Sequence, residues 1–403
     1  MYSIKQLRNF EEAKKEMLAI EVDGGGIPIM APKSVFKIIK ITDVNRAAAT
    51  IMKQEMLSCS GDVAVAKGTI NAAIDKTDVL IFGTVAQIRE FIHKISIQPF
   101  GLKKIAKDLD ILLTNYHKKL ESWELGKYSA KKYKINFDRP LIMGIVNVTP
   151  DSFFDGNKYA STNAAVKHTK ELVKQGAHIL DIGGESSRPG SESVSAKTEL
   201  ERVLPVIKKL IADKTINLPI SVDTYKPEVA LECLKAGVHI INDISGFKNP
   251  RMISVCKKFD AGVIAMHMQG NPKSMQQNPS YDDVVREVFE YLEDTIVNAR
   301  NLGITKIAVD PGIGFGKTLE HNLLLLKNLA EFKSLGCPIL IGASRKSFIS
   351  KISNVDVDKR LPGTIAANCY ALLNGANILR VHDVEDGRLA ADVIEAISKI
   401  KYQ

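Results

Sequence analysis

One pattern governs the last two thirds of this chain. A short apolar run ends on a polar residue, a loop follows, and a helical stretch leads to the next run. The runs lie at 141–147, 178–182, 219–223, 238–243, 262–267, 306–310, 338–342 and 377–381. Gly176, Gly237, Gly303, Gly336 and Gly375 stand just before five of them, where helices stop. Apolar runs this short, spaced by helices, predict βα units and a parallel sheet. Eight of them predict a closed (β/α)8 barrel over 137–403. The segment 1–136 reads as a smaller α/β domain. It has helical patterns at 4–19, 43–58, 84–95 and 101–114, strand-like runs near Val63 and at 79–82, and a turn at Gly24, Gly25 and Gly26. Residues 115–136 are rich in Lys and Tyr and read as a linker closing that domain.

Composition narrows the partners. Hydrophobic residues make up 45% of the 403, enough for a large core. No apolar run approaches the ~18 residues of a membrane span, and the start, MYSIKQLRNF, has no signal-peptide core. Five cysteines without a CxxC pair argue for reduced thiols in the cytoplasm and against a zinc site. A net charge of +9 fits a solvated lysine-rich surface or an anionic substrate. Aromatic content of 6%, without interleaved stacking residues, argues against nucleic acid.

Barrels of this kind carry their active sites at the C-terminal ends of the strands. Those ends bear Asn147, Asp181, Asp223, Asn242, His267, Asp310, Ser344-Arg345-Lys346 and Arg380-x-His382. One polar strand end is an ordinary turn former; eight meeting at one mouth form a site. Asp223, Asn242, Asp310 and Lys346 suit a flat heterocycle. A carboxylate takes a guanidine-like edge through two hydrogen bonds, and an amide reads a donor–acceptor pair. Asn147, Ser187, Arg188, Arg380 and His382 are cationic or donor-rich and suit phosphate oxygens. Asn147, Asp151 and Asp155 are the nearby hard oxygens, so a Mg²⁺ there would rest on one or two protein oxygens plus phosphate and water. The loops 148–160 and 183–195 read either as lids over the mouth or as plain surface loops.

The segments MGIVNVTPDSFFDG, LDIGGESSRPG, ISVDTYKP, IINDISG, MHMQGNPKSMQ, VDPGIGFGK, GASRKSF and LRVHDV resemble dihydropteroate synthases, in order and spacing, across 137–403. The resemblance implies a transferase of folate biosynthesis. It condenses 6-hydroxymethyl-7,8-dihydropterin diphosphate with 4-aminobenzoate, giving 7,8-dihydropteroate and diphosphate. It implies that the pterin sits on Asp223, Asn242, Asp310 and Lys346, and the diphosphate on Asn147, Ser187, Arg188, Arg380 and His382. Asn147 would help bind Mg²⁺. Aminobenzoate would lie against Phe153, Pro189 and Ser344. Lys346, Asp310, Arg380, His382 and Asp155 would carry catalysis. The resemblance also implies a homodimer formed through barrel helices, and a sulfonamide target.

The sequence departs from the family pattern in three places. Ser187 replaces a common Thr and keeps the hydroxyl. The first loop reads Phe154-Asp155-Gly156-Asn157 where Ser-x-Gly-Gly is more usual. The segment 1–136 is absent from short forms; its KQEML at 53–57 and QPFGL at 98–102 resemble long-form bacterial members. Rival readings are a pterin-dependent methyltransferase, a relative using a ribosylated aminobenzene, and a catalytically silent pterin-binding barrel.

Overall fold

The computed structural model describes residues 2–7, 9–149, 158–186 and 190–400. The chain forms two compact units, Met1–Asn115 and Tyr116–Gln403.

The first unit opens with α1 (Phe10–Ala19) and α2 (Ile27–Ser34). Then come β1 (Phe36–Asn45), α3 (Arg46–Ser58), β2 (Asp62–Val65), β3 (Lys76–Thr84), α4 (Val85–Ile95) and α5 (Leu102–His117). The strands form an antiparallel sheet in the order β1-β3-β2. One face packs Ile39, Val63, Val79 and Ile81 on the helices, whose Met52, Met56, Ile88 and Phe91 complete a core. Thr84 caps α4 through a capping box with Gln87. The α2 helix and the β1 strand were not evident from the sequence.

The second unit begins with a hairpin, β4 (Trp123–Leu125) paired antiparallel with β5 (Tyr133–Ile135). The barrel follows as β6 (Leu141–Asn147), α6 (Lys158–Lys174), β7 (Ile179–Gly183), α7 (Ala196–Ala212), β8 (Ile220–Asp223) and α8 (Pro227–Lys235). It continues as β9 (Ile240–Asp243), α9 (Pro250–Phe259), β10 (Gly262–Met266), α10 (Val284–Asn301), β11 (Ile307–Asp310) and α11 (Leu319–Lys327). It ends with β12 (Leu340–Ile341), α12 (Ser347–Ser353), α13 (Leu361–Leu373), β13 (Ile378–Val381) and α14 (Val384–Lys399). The eight strands β6 to β13 are parallel, each beside its sequence neighbour except β11 and β12, and β13 returns to β6. A parallel bridge from Val309 to Ile339 joins β11 to β12 and closes the ring. β12 is short, and the Asn377 side chain accepts the Ile339 N–H at 2.9 Å just before it.

Side chains alternate along each strand, and that period of two sorts the barrel. Ile142, Val146, Leu180, Ile182, Val222, Ile241, Val309, Leu379 and Val381 pack outward with the helices. Leu141, Met143, Ile179, Ile240, Ile264, Ala308, Leu340 and Ile378 fill the interior near the strand starts. Two residues further along β7, β9, β11 and β13 the same interior positions carry Asp181, Asn242, Asp310 and Arg380. The interior is therefore apolar at its base and polar at its mouth.

The segment expected to be a linker belongs to this base. Trp123, Leu125, Ile135 and Phe137 join the interior cluster, with Trp123 edge-on to Phe137 at 5.2 Å. A Cβ on Gly262 would lie 2.9 Å from the Trp123 ring. Lys131 donates to the carbonyls of Asp213 and Ile216 at 2.8 and 2.7 Å. The outward positions carry Glu124 and Lys134, while the alternate Trp123, Leu125 and Ile135 are buried and Tyr133 packs partly against the same cluster.

Candidate active site

Arg380, from β13, organises the mouth. Its Nε donates to Asp181 Oδ2 at 2.6 Å and its Nη2 to Asp223 Oδ2 at 2.8 Å. Asn242 Nδ2 donates to the same Asp181 oxygen at 3.1 Å. Four strands are tied together by this network. Asp181 Oδ1 is buried without a partner among the described residues. Burial pushes the Asp223 carboxyl up; Arg380 pulls it back, and the Asp181 charge pushes it up again. Sorting residues by sign had set Arg380 with the anion-facing group. Folding instead pairs it with Asp223 of the ring-facing group, so the two sets interlock. Asp181 was visible as a strand end, but its structural role was not, because only the fold brings it beside Arg380.

Asp310 ends β11 and accepts the Gly312 N–H at 2.7 Å. Gly312 has φ +71°, and a Cβ there would collide with the His267 carbonyl, so this turn needs glycine. Burial raises the Asp310 carboxyl to about 6 against the pull of the Gly312 N–H, Lys346, Lys317 and Arg380. Lys346 is presented by a strained turn: Arg345 has φ 55°, a conformation costing ~1–3 kcal/mol. Asp383 offsets that by taking Arg345 Nε at 2.9 Å and Nη2 at 2.5 Å. Arg360 Nη1 donates to the Arg345 carbonyl at 2.8 Å. Lys346 Nζ then sits 4.0 Å from the centre of the Phe315 ring, a cation–π contact. Burial and Arg380 lower Lys346 to about 8, with Asp310 and Asp223 opposing.

Ser344 and His382 form a pair. The His382 backbone N–H donates to Ser344 Oγ at 3.2 Å, and Oγ lies 3.1 Å from His382 Nδ1. Oγ has a lone pair left for Nδ1–H and can also donate to a bare Nδ1, so the contact fits a neutral imidazole of either tautomer. Burial, then Arg380 and Arg345, lower His382 to about 4, in keeping with that neutral form. His382 thus presents a neutral ring rather than a cation.

Asn147 ends β6. A Cβ on the facing Gly183 would stand 3.8 Å from both Asn147 Oδ1 and Asp223 Oδ2, so both oxygens lie beside this glycine. Among the described residues no group of three or more His, Cys, Asp or Glu is placed to hold a metal ion. The donor set therefore fits a Mg²⁺ only where substrate phosphate and water supply most of the shell, a common arrangement for this ion.

Phe153, Asp155, Ser187, Arg188 and Pro189 lie outside the described residues. The start of the second loop is anchored. Tyr225 donates its hydroxyl to Glu185 at 2.9 Å, and Lys226 pairs with Glu185 and, at 2.5 Å, with Glu199. No helix of the described residues is long and apolar enough to cross a membrane. The five cysteines are unpaired.

Known proteins share the sequence and fold of this barrel. A family described as pterin binding enzyme matches residues 143–382. The dihydropteroate synthase of Escherichia coli is 45% identical over 277 residues, 68% of this chain and 98% of its own. A crystal structure of dihydropteroate synthase from Clostridium difficile in the presence of pteroic acid superposes with a TM-score of 0.62. It is 44% identical and covers 69% of this chain and 100% of its own. A Halobacterium salinarum protein named probable bifunctional folylpolyglutamate synthase/dihydropteroate synthase is 36% identical over 391 residues, 96% of this chain and 46% of its own. Its match therefore extends into the first unit. With a pterin-binding profile over most of the barrel and the Escherichia coli and Clostridium difficile relatives covered nearly end to end, the chain belongs to the dihydropteroate synthase family of pterin-binding enzymes.

Proposed function

We infer that this chain is a dihydropteroate synthase, a transferase of folate biosynthesis. It joins 6-hydroxymethyl-7,8-dihydropterin diphosphate to 4-aminobenzoate and releases diphosphate. The observation that carries the reading is the convergence of Asp223, Asn242, Asp310 and Lys346 with Arg380 and His382 at one barrel mouth. A pterin-dependent methyltransferase has no leaving diphosphate to meet the last two.

We assign the pterin's guanidine-like edge to the carboxylates, and its other donors and acceptors to Asn242 and Lys346. Arg380 Nη1 makes no bond to a described residue, and His382 follows just past the end of β13; both are assigned to the diphosphate. Asn147 would hold Mg²⁺ through its amide oxygen, and the ion when bound supplies charge neutralisation for the diphosphate. In the reaction the bond from the pterin's methylene carbon to the bridging oxygen breaks, and its electron pair leaves with the diphosphate. Arg380 and His382 stabilise the charge growing there. The electron-rich dihydropterin ring shares the positive charge left on the methylene carbon. The aryl amine then donates its lone pair to that carbon and loses one proton to solvent or diphosphate. Aminobenzoate is assigned to the side bordered by Ser344, with Phe153 and Pro189.

The partner surface is proposed to be a second copy of the chain. Tyr370 and Leu373 on α13 and Leu389, Val393 and Ile397 on α14 are all exposed apolar residues on two adjacent barrel helices, which suits a homodimer contact. Five free thiols suit the reducing cytoplasm. Diphosphate release measured with and without 4-aminobenzoate tests the reaction. Release that depends on aminobenzoate and yields dihydropteroate is expected; pterin binding with no release would leave a silent barrel.

A further inference from the structure

Lys317 closes the glycine-rich loop after β11, is 2% exposed, and has no part in the reaction just described. Its Nζ faces three acceptors. They are His267 Nδ1 at 2.9 Å, the Phe315 carbonyl at 2.9 Å and the His267 carbonyl at 3.4 Å. A lysine ammonium has three donors and no acceptor, so this cage suits the charged form. His267 is then neutral, with Nδ1 accepting and the proton on Nε2. The ring of Tyr291 stands edge-on to His267 at 4.8 Å and helps fix its plane.

A buried charge needs a counter-charge. A Cβ on Gly312 would lie 3.4 Å from Lys317 Nζ. The ammonium therefore sits against the very turn whose N–H binds the Asp310 carboxylate. The same cage pins the Phe315 carbonyl, and the Phe315 ring carries the Lys346 ammonium. Two of the four assigned pterin ligands thus rest on Lys317, although it lies behind the loop.

We propose that Lys317 is a positioning residue of the pterin subsite, keeping Asp310 ionised and Phe315 aligned beneath Lys346. The proposal deepens the pterin reading and rests on it. The charged groups facing Asp310 are Lys317 on its own loop, Lys346 after β12 and Arg380 on β13. Those facing Lys317 are Asp310 and Lys346, with His267, just after β10, in contact and Lys248, after β9, beyond it. Burial holds Lys317 down at about 7 and Asp310 up at about 6. Below pH 7 the ammonium is present and opposes protonation of Asp310. Without it Asp310 takes up its proton at a higher pH, and the acid limb of pterin binding moves up. At pH 9 Lys317 is neutral and its charge contributes nothing. A loop merely distorted by the substitution would weaken binding by one factor at every pH.

The test is the Kd of 6-hydroxymethylpterin, by calorimetry from pH 5.5 to 9, for the full chain and for Lys317→Met and Lys317→Arg. The Met variant is expected to shift the acid midpoint up by about one pH unit, so that binding at pH 6 weakens about fivefold. Its curve should approach that of the parent as pH rises to 9, leaving only the pH-independent loss from the freed Phe315 carbonyl. Lys317→Arg should keep the parent midpoint. Parallel curves, or a Met variant matching the parent, overturn the proposal. Should the Met variant not fold, Lys317→Arg decides, and a midpoint shifted with the charge retained overturns it. A parent that binds no pterin removes the pterin reading itself.

Discussion

Arg380→Met asks whether one guanidinium holds the barrel mouth together. The arginine side chain is 19% exposed and its partners Asp181 and Asp223 are 0% and 13% exposed. Two opposite charges 4 Å apart attract by about 4 kcal/mol at an effective dielectric of about 20. Desolvation takes back much of that while the pairs are intact. Truncation is less forgiving. It leaves Asp181 with the Asn242 amide alone, one oxygen already lacking a partner, and it frees Asp223 into the same buried space. Removing one side of a buried pair costs about 3–5 kcal/mol, and that is the expected loss in urea unfolding at pH 8. The loss should shrink at pH 5.5. Burial already raises the Asp223 carboxyl, and without Arg380 it rises further. The folded state then binds the proton more readily than the unfolded one, so the penalty grows as pH rises. Because Asp223 is also an assigned ring ligand, the variant should lose affinity for a pterin lacking diphosphate. Adding Asp181→Asn should restore part of the stability. Unchanged unfolding midpoints at both pH values would refute the argument. So would normal binding of diphosphate-free pterin alongside failure with the diphosphate ester, which would make Arg380 purely a phosphate contact.

Lys346→Met should reduce pterin affinity and turnover together, by roughly 10- to 100-fold, the worth of one charged hydrogen bond. In the parent, pterin affinity should decline as pH rises through about 8, where Lys346 loses its proton; the variant should lack that slope, and retaining it would assign the limb elsewhere. The His382 imidazole, followed by NMR, should protonate near 4 rather than at its ordinary 6.5. An ordinary midpoint would refute the buried neutral ring, because an imidazolium would then prevail below about pH 6.5.

Much of the barrel was legible because its strands are buried on both faces and so read as continuous apolar runs. Their polar exits were legible for the same reason: Asp223, Asn242, Asp310 and Arg380 interrupt apolar runs where no core position would accept them. What sits behind such residues was not legible. Lys317 looked like one more residue of GIGFGK, because nothing local announces that His267, fifty residues earlier, supplies its cage. Arg380 and Asp181 are 199 residues apart, and sequence sorts them by charge, whereas folding joins opposite charges. The β1 strand is hard to read because only Ile39 and Val44 are buried along it, Lys40 between them is exposed, and a bulge between Ile41 and Val44 breaks its alternation.

The hairpin at the barrel base decides where the chain can be cut. The Escherichia coli relative aligns over 98% of its own length yet leaves 32% of this chain unmatched, so the family's reaction does not require every part of the present chain. The first unit has a core of its own. Removing residues 1–115 should therefore leave a folded barrel with kcat/KM near that of the parent. Removing 1–136 takes twenty-one residues more, including Trp123, Leu125 and Ile135, which are 5%, 2% and 6% exposed. Burying a side chain of this size is worth about 1.5–3 kcal/mol, and three together approach the 5–15 kcal/mol that holds a whole domain folded. Their loss would also open the apolar interior to water beneath Leu141, Ile179 and Ile378. The longer truncation should consequently unfold or aggregate. The point variant Trp123→Ala, costing about 3–5 kcal/mol, should lower the melting temperature while leaving the pterin Kd unchanged, since the ring lies at the opposite end of the strands from the mouth. A stable and active product of the 1–136 deletion would return the hairpin to the status of a linker, and a folded but inert product of the 1–115 deletion would give the first unit a part in the chemistry.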